Sequence, residues 1–190
     1  MQRILIFGNS GSGKSTLASR LAGLHNARHL DLDTIAWLPD RPGVRMPLDE
    51  SIAELRRFIE SCDNWVIEGC YSDLLREAAA FCTEMIFLNP GVEACVENCL
   101  NRPWEAHKYE SPEAQDANLR LLIDWVREYE TRQDEFSLSE HRRLFDRHTG
   151  RKAEYRSNED TAAALRTILN RAKDEFDSPR SSMTRRESSG

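Results

Sequence analysis

At 190 residues the chain has the length of one domain with room for a proper core. Hydrophobic residues make up 39% and charged ones 31%, no apolar run approaches a bilayer span, and the N-terminus leads into a strand pattern without a signal peptide, so a cytoplasmic location is the expectation. A net charge of −6 argues against a general nucleic-acid surface, and Cys62, Cys70, Cys82, Cys95 and Cys99 form neither a C-x-x-C pair nor a zinc set.

The apolar run Ile4 to Phe7 reads as a buried strand, and Leu17, Leu21 and Leu24 recur at helical spacing soon after it. Between them lies "GNSGSGKST", in which Gly8, Gly13, Lys14 and Ser15 occupy every fixed place of the G-x-x-x-x-G-K-[ST] pattern. Strand, glycine loop and helix in that order form a phosphate cradle. Backbone N–H groups turn inward, the helix presents its positive end, Lys14 reaches the β/γ-phosphates and Ser15 offers a hydroxyl to Mg²⁺. The nucleotide-contacting set expected here is Gly8, Asn9, Ser10, Gly11, Ser12, Gly13, Lys14, Ser15 and Thr16.

Next, "ARHLDLD" reads as a second strand ending in two acids, and residues two apart in a strand face the same way, so Asp31 and Asp33 are expected to point together into a cleft. After the loop "LPDRPGVRMP", Leu48, Ile52, Leu55 and Ile59 mark a helix. "NWVIEG" is a third strand, "EMIFLN" a fourth stopped by Pro90, and 91–102 a helix that places Cys95 and Cys99 on one face with Val92 and Val96. "RPWEAHKYESPEAQ" has no clean period and reads as an exposed flap. Leu119, Leu122, Val126 and Tyr129 mark a long helix, "SLSEHRRLF" starts another, and "RKAEYR" is a last strand. Ser157 with Asp160 signals the cap of a final helix carrying Leu165, Ile168, Leu169 and Ala172. From Lys173 onward the polar tail has too little apolar content to fold. Strands alternating with helices predict a parallel α/β sheet, with ligands at the carboxyl ends of its strands.

The chain lacks N-K-x-D, L-S-G-G-Q and an apolar strand ending in a D-E pair, which disfavours a GTPase or a motor ATPase. Through "GNSGSGKST", "HLDLDTIAW", "WVIEGCYS", "MIFLNP" and "NRPW" it resembles the small phosphate-loop kinases, the group of shikimate, gluconate and adenylate kinases. Within that group it looks most like the adenylate-kinase-related topology-modulation kinases. The resemblance implies a three-layer P-loop NTPase fold with a parallel five-stranded sheet flanked by helices and a small lid. It divides the chain into a kinase domain at 1–172, with a lid at about 102–116 and an acceptor-binding segment at about 34–62, and a disordered tail at 173–190. It implies a monomeric, ATP- and Mg²⁺-dependent enzyme that moves the γ-phosphoryl to a hydroxyl or phosphate of a small acceptor, with no membrane partner.

By the same resemblance Asp31 orders Mg²⁺ through water, Ser15 being the direct ligand, and Asp33 orients or deprotonates the acceptor hydroxyl. Arg102, at the base of the flap, offsets transition-state charge beside Lys14, and Lys108 is a second candidate. Glu68 stands where adenylate kinases carry a metal-orienting acid. Asn89 stands where many relatives carry Asp and is not assigned to metal. Ser157 and Asn158 would lie near adenine. Trp37, Arg41, Arg45, Tyr71 and Asp73 fall in the loops expected to face the acceptor, although aromatic residues near helix starts more often pack than bind. Two other readings stay open. One is a nucleoside monophosphate kinase, whose sign would be phosphate-clamping arginines around 41–57; the other is an ATP-binding regulator with weak ATPase activity.

Overall fold

The computed structural model describes residues 1–41, 43–104 and 110–177, the last seven as backbone only. Its strands are β1 (Arg3–Gly8), β2 (Arg28–Asp31), β3 (Trp65–Gly69), β4 (Glu84–Leu88) and β5 (Arg151–Tyr155). They form one parallel sheet in the order β2-β3-β1-β4-β5. The helices are α1 (Lys14–Leu24), α2 (Asp33–Ala36), α3 (Leu48–Glu60), α4 (Ser72–Ala79), α5 (Val92–Leu100), α6 (Pro112–Arg127), α7 (Leu138–Arg147) and α8 (Asn158–Asp177).

The pleat sorts β1 between two cores, because successive side chains leave a strand on opposite faces. Leu5 and Phe7 pack with Ile67, Met85 and Phe87 against residues of α3, α4 and α7. Ile4 and Ile6 pack with Val66, Ile86 and Leu88 against Leu17, Ala18 and Leu21 of α1, with Leu165 and Ile168 of α8 beside them. With both faces covered, the strands can be continuously apolar, as "ILIF" and "MIFL" are. A smaller cluster of Cys95, Val96, Cys99 and Val126 joins α5 to α6. This is the three-layer P-loop NTPase architecture expected from the sequence. Among the described residues no helix is long and apolar enough to cross a membrane.

Four local features differ from the sequence reading. Helix α4 has no counterpart in the sequence pattern: Leu74, Leu75 and Ala78 form its buried stripe, too short to stand out beside the glycine-ended strand before it. Helix α6 begins inside the expected flap, at Pro112. Proline needs no N–H partner in a first turn, and the Ser111 hydroxyl accepts from the Ala114 N–H at 3.2 Å. Asp33 opens helix α2 instead of extending β2. The backbone of α8 runs on to Asp177, past the expected start of the tail at Lys173. Residues 178–190 of that tail, and Lys108 with the rest of 105–109, lie outside the described residues.

Candidate active site

The phosphate loop joins β1 to α1 and is shaped by its glycines. Gly11 has φ +77°, and a Cβ there would sit 2.3 Å from the Cys95 carbonyl oxygen and 2.7 Å from the Cys99 sulfur, so α5 leaves room for glycine only. Gly13, at φ +91°, turns the chain into α1. The loop is then held by side chains. Buried Asn9 donates from its amide to the Val126 carbonyl of α6 at 3.0 Å, while its amide oxygen accepts from the Ser10 N–H at 2.8 Å. Its carbonyl accepts from the Ser12 N–H and, at 2.9 Å, from Lys14 Nζ. Asn98 of α5 donates to the Gly11 carbonyl at 2.8 Å and is hydrogen-bonded to Asn158 at the start of α8.

Three acids come from the neighbouring strand ends. Asp31 ends β2, and its register partner Glu68 lies next to it on β3. Asp33 reaches the same cavity by a route other than strand alternation. Leu32 between the two acids is fully buried, with side-chain atoms so near Gly69 that a Cβ there would meet them at 2.9 Å. The Leu32 N–H donates to the Glu68 carbonyl, and the Asp33 N–H then donates to Asp31 Oδ1 at 2.9 Å. This local turn brings the second carboxylate back beside the first.

Burial pushes the Glu68 carboxyl up to about 7, Asp31 and Asp33 add to the rise, and Lys14 with a hydrogen bond from Ser15 pulls the other way. Its Oε1 is buried and finds no hydrogen-bond partner among the described residues, and His29 Nε2 lies 4.0 Å from that atom. Burial also lowers the His29 ring below its ordinary value, against the pull of Asp31. A buried carboxylate oxygen without a donor, beside a Lys and a Ser of the phosphate loop, suits a hard cation. Among the described residues no group of three or more His, Cys, Asp or Glu side chains is gathered to hold a metal by itself. Mg²⁺ bound through one or two protein groups plus phosphates and water needs no such cage.

These groups line one cavity of about 660 Å³, and of the expected loop residues Ser10 to Thr16 border it while Gly8 and Asn9 lie behind. Asp31, Asp33 and Glu68 line it from the sheet side, Arg102 and Pro103 from the segment after α5, and Asn158 and Leu165 from α8. Arg102 also reaches toward the Cys99 sulfur at 4.0 Å. Ser157 is a helix cap, accepting from the Asp160 N–H. Asn89 donates to Glu154.

The residues expected to face the acceptor do not behave alike. Arg41 is exposed. Arg45 and Asp73 are ion-paired to one another at 3.0 Å, Glu135 takes the other side of Arg45 at 2.9 Å, and neither Arg45 nor Asp73 borders the cavity. Arg56 pairs with Glu77, and Arg57 with Glu54. Trp37 and Tyr71 pack edge to face, but they are also hydrogen-bonded. The Trp37 indole donates to the Tyr71 hydroxyl at 2.6 Å, and that hydroxyl lies 2.5 Å from Asp33 Oδ1.

Sequence reasoning missed His141. It is fully buried, with Nε2 bonded to the Cys70 carbonyl at 2.9 Å and Nδ1 to the Tyr129 hydroxyl at 2.7 Å. A carbonyl can only accept, so Nε2 carries the proton and Nδ1 accepts from Tyr129. Burial lowers the ring to about 3, which keeps it neutral. Burial pushes the Cys70 thiol, which borders the cavity, up to about 12. A lone histidine in "SEHRRLF" carried no signal of either contact.

Sheet order, loop geometry and cavity define a phosphate-loop protein on the scaffold of the small kinases. The family model described as AAA domain matches residues 4–118, and the chain belongs to that family. No curated protein matches it at a significant level. Shikimate kinase from Bacteroides thetaiotaomicron superposes with a TM-score of 0.56 at 16% identity, covering 90% of this chain and 98% of its own. Shikimate kinase from Acinetobacter baumannii in complex with shikimate gives 0.53 at 17%, covering 92% and 94%. At such identities the likeness is one of fold.

Proposed function

We propose that the chain is an ATP- and Mg²⁺-dependent kinase that transfers the γ-phosphoryl to a hydroxyl or phosphate of a small acceptor, acting as a cytoplasmic monomer. The observation that carries this reading is the single cavity shared by the phosphate loop, Asp31, Asp33 and Arg102. Loop N–H groups and the start of α1 receive the β- and γ-phosphates, and Lys14 exchanges the Asn9 carbonyl for phosphate oxygen. Ser15 and Asp31 would hold Mg²⁺, which when bound neutralises charge on the β- and γ-phosphates. Asp33 accepts the acceptor's hydroxyl proton as that oxygen attacks the γ-phosphorus, and the bond to the bridging oxygen breaks so that ADP leaves with its electron pair. Arg102 offsets the charge spread over the moving phosphoryl group.

The arginines that a monophosphate clamp would draw on in α3 and the preceding loop are exposed or ion-paired elsewhere, which favours a hydroxyl over a phosphate as acceptor. The test is ADP release from ATP and Mg²⁺ across a panel of nucleoside monophosphates, nucleosides, hydroxy acids and sugars, with Lys14→Ala as control. Acceptor-dependent turnover that the substitution abolishes is the expected result. Tight ATP binding without acceptor-dependent turnover would replace the kinase with a nucleotide-gated regulator.

A further inference from the structure

The Trp37, Tyr71 and Asp33 contacts have a direction fixed by chemistry. An indole N–H only donates, so the Tyr71 oxygen must be its acceptor, and the single phenolic proton is left for the carboxylate. At 2.5 Å the Tyr71 to Asp33 contact is in the range of a charge-assisted O–H···O⁻ bond. The polarity therefore runs from Trp37 through Tyr71 to Asp33.

The middle member is itself fixed. Tyr71 is 2% exposed, with Phe136 edge-on at 5.2 Å and the Arg45 guanidinium 4.8 Å from its ring centroid. Arg45 also lies over Trp37 and Phe136, and its ion pairs with Asp73 and Glu135 tie it to the start of α4 and to the loop before α7. At the other end, the Asp33 N–H is committed to Asp31. Packing alone does not require the hydroxyl, because a phenylalanine would fill the same space. What the hydroxyl adds is a hold on one carboxylate oxygen.

We propose that Tyr71 is the positioning residue of Asp33, fixing through its Trp37-fed hydroxyl the plane in which that carboxylate meets the acceptor. This rests on the kinase reading above and adds to it a residue that does not touch the phosphoryl group. Burial and the neighbouring Cys70 and Asp33 raise the Tyr71 phenol, so it stays a proton donor throughout the neutral range. A carboxylate that must meet a hydroxyl at hydrogen-bond distance loses turnover when its plane is free to rotate, while nucleotide binding at the loop is untouched.

The experiment is a double-mutant cycle on the full chain, reading steady-state ADP release from Mg·ATP with water as acceptor and with the acceptor panel. Tyr71→Phe is expected to lower kcat about tenfold with KM for ATP unchanged, the loss typical of one charge-assisted hydrogen bond. Trp37→Phe, which removes the donor to Tyr71 together with part of the ring that Arg45 covers, should give a smaller loss of the same kind. In an Asp33→Asn background the Tyr71→Phe effect should vanish. Wild-type kcat in Tyr71→Phe, or the same loss in both backgrounds, overturns the positioning role and leaves the kinase reading standing. If Asp33→Asn alone leaves ADP release unchanged in both assays, the assignment of Asp33 as base fails and the positioning of that base fails with it.

Discussion

The two sides of the cavity are built from different materials. The phosphate side is a continuous run, Ser10 to Thr16, whose working parts are backbone N–H groups, glycine angles and one lysine. The wall behind Asp33 is assembled from segments far apart in the chain: Asp33 and Trp37, Arg45, Tyr71 and Asp73, and Glu135 with Phe136. The first is contiguous in sequence and only held in place by α5 and α6, whereas the groups of the second are brought together solely by the folding of the whole domain. Changes on the phosphate side should therefore act on nucleotide chemistry or on a local clash, and changes in the wall should couple turnover to stability.

The largest expected effect sharpens the phosphate side. Lys14→Ala should lower ADP release by at least about a hundredfold while the denaturation midpoint barely moves, the loss seen when one preorganised charge is removed from a transition state. A mild loss would mean that the backbone cradle suffices. Gly11→Ala should cost about 3 kcal/mol in chemical denaturation, since its Cβ would meet the Cys95 backbone and φ is positive. In the wall, Arg45→Met keeps the stem but strands two acids that are themselves only partly exposed. About 2 kcal/mol of stability should go, discounted for the quarter of Arg45 that remains open to solvent, with ATP affinity unchanged. Loss of ATP affinity there would dissolve the division between the two sides.

Stability against pH tests the wall's neighbour, His141. Its folded value is about 3 and its unfolded value 6.5, so as pH falls between them the unfolded chain takes up a proton that the folded protein refuses. Unfolding free energy should drop by about 1.4 kcal/mol per pH unit across that window from this group, a slope that a His141→Gln variant lacks. The smallest effect is Arg57→Ala, no more than about 0.5 kcal/mol, because its pair with Glu54 lies in solvent. A raised acceptor KM in that variant would show the guanidinium swinging into the cavity.

The same contrast explains what could be read from the sequence. Parallel strands buried on both faces leave continuous apolar runs, and the phosphate loop is a local pattern, so β1, β3, β4 and the cradle are legible, whereas the edge strands β2 and β5 are polar and less buried and carry no such run. The joint approach of Asp31 and Asp33 was also expected, but on strand alternation, whereas the structure achieves it with a buried Leu32 and a turn. Arg45 and Asp73 looked like acceptor groups because loop position does not reveal that they neutralise one another. The hydroxyl of Tyr71 and the ring of His141 could not be read at all. Each is defined by partners whose separation in sequence, from 12 to 71 residues, no period or motif encodes.

The Asn9 amide, bonded to the Val126 carbonyl, moors the phosphate loop to the last turn of α6. From Val126 to Pro112 that helix is a lever about 21 Å long at 1.5 Å per residue. A tilt of about 10° around the mooring moves the far end by about 4 Å while the anchored end stays with the loop. Any tilt of α6 about this mooring would thus be felt far more at its Pro112 end, where Gln115 donates to the carbonyl of the cavity-lining Pro103, than at the nucleotide cradle.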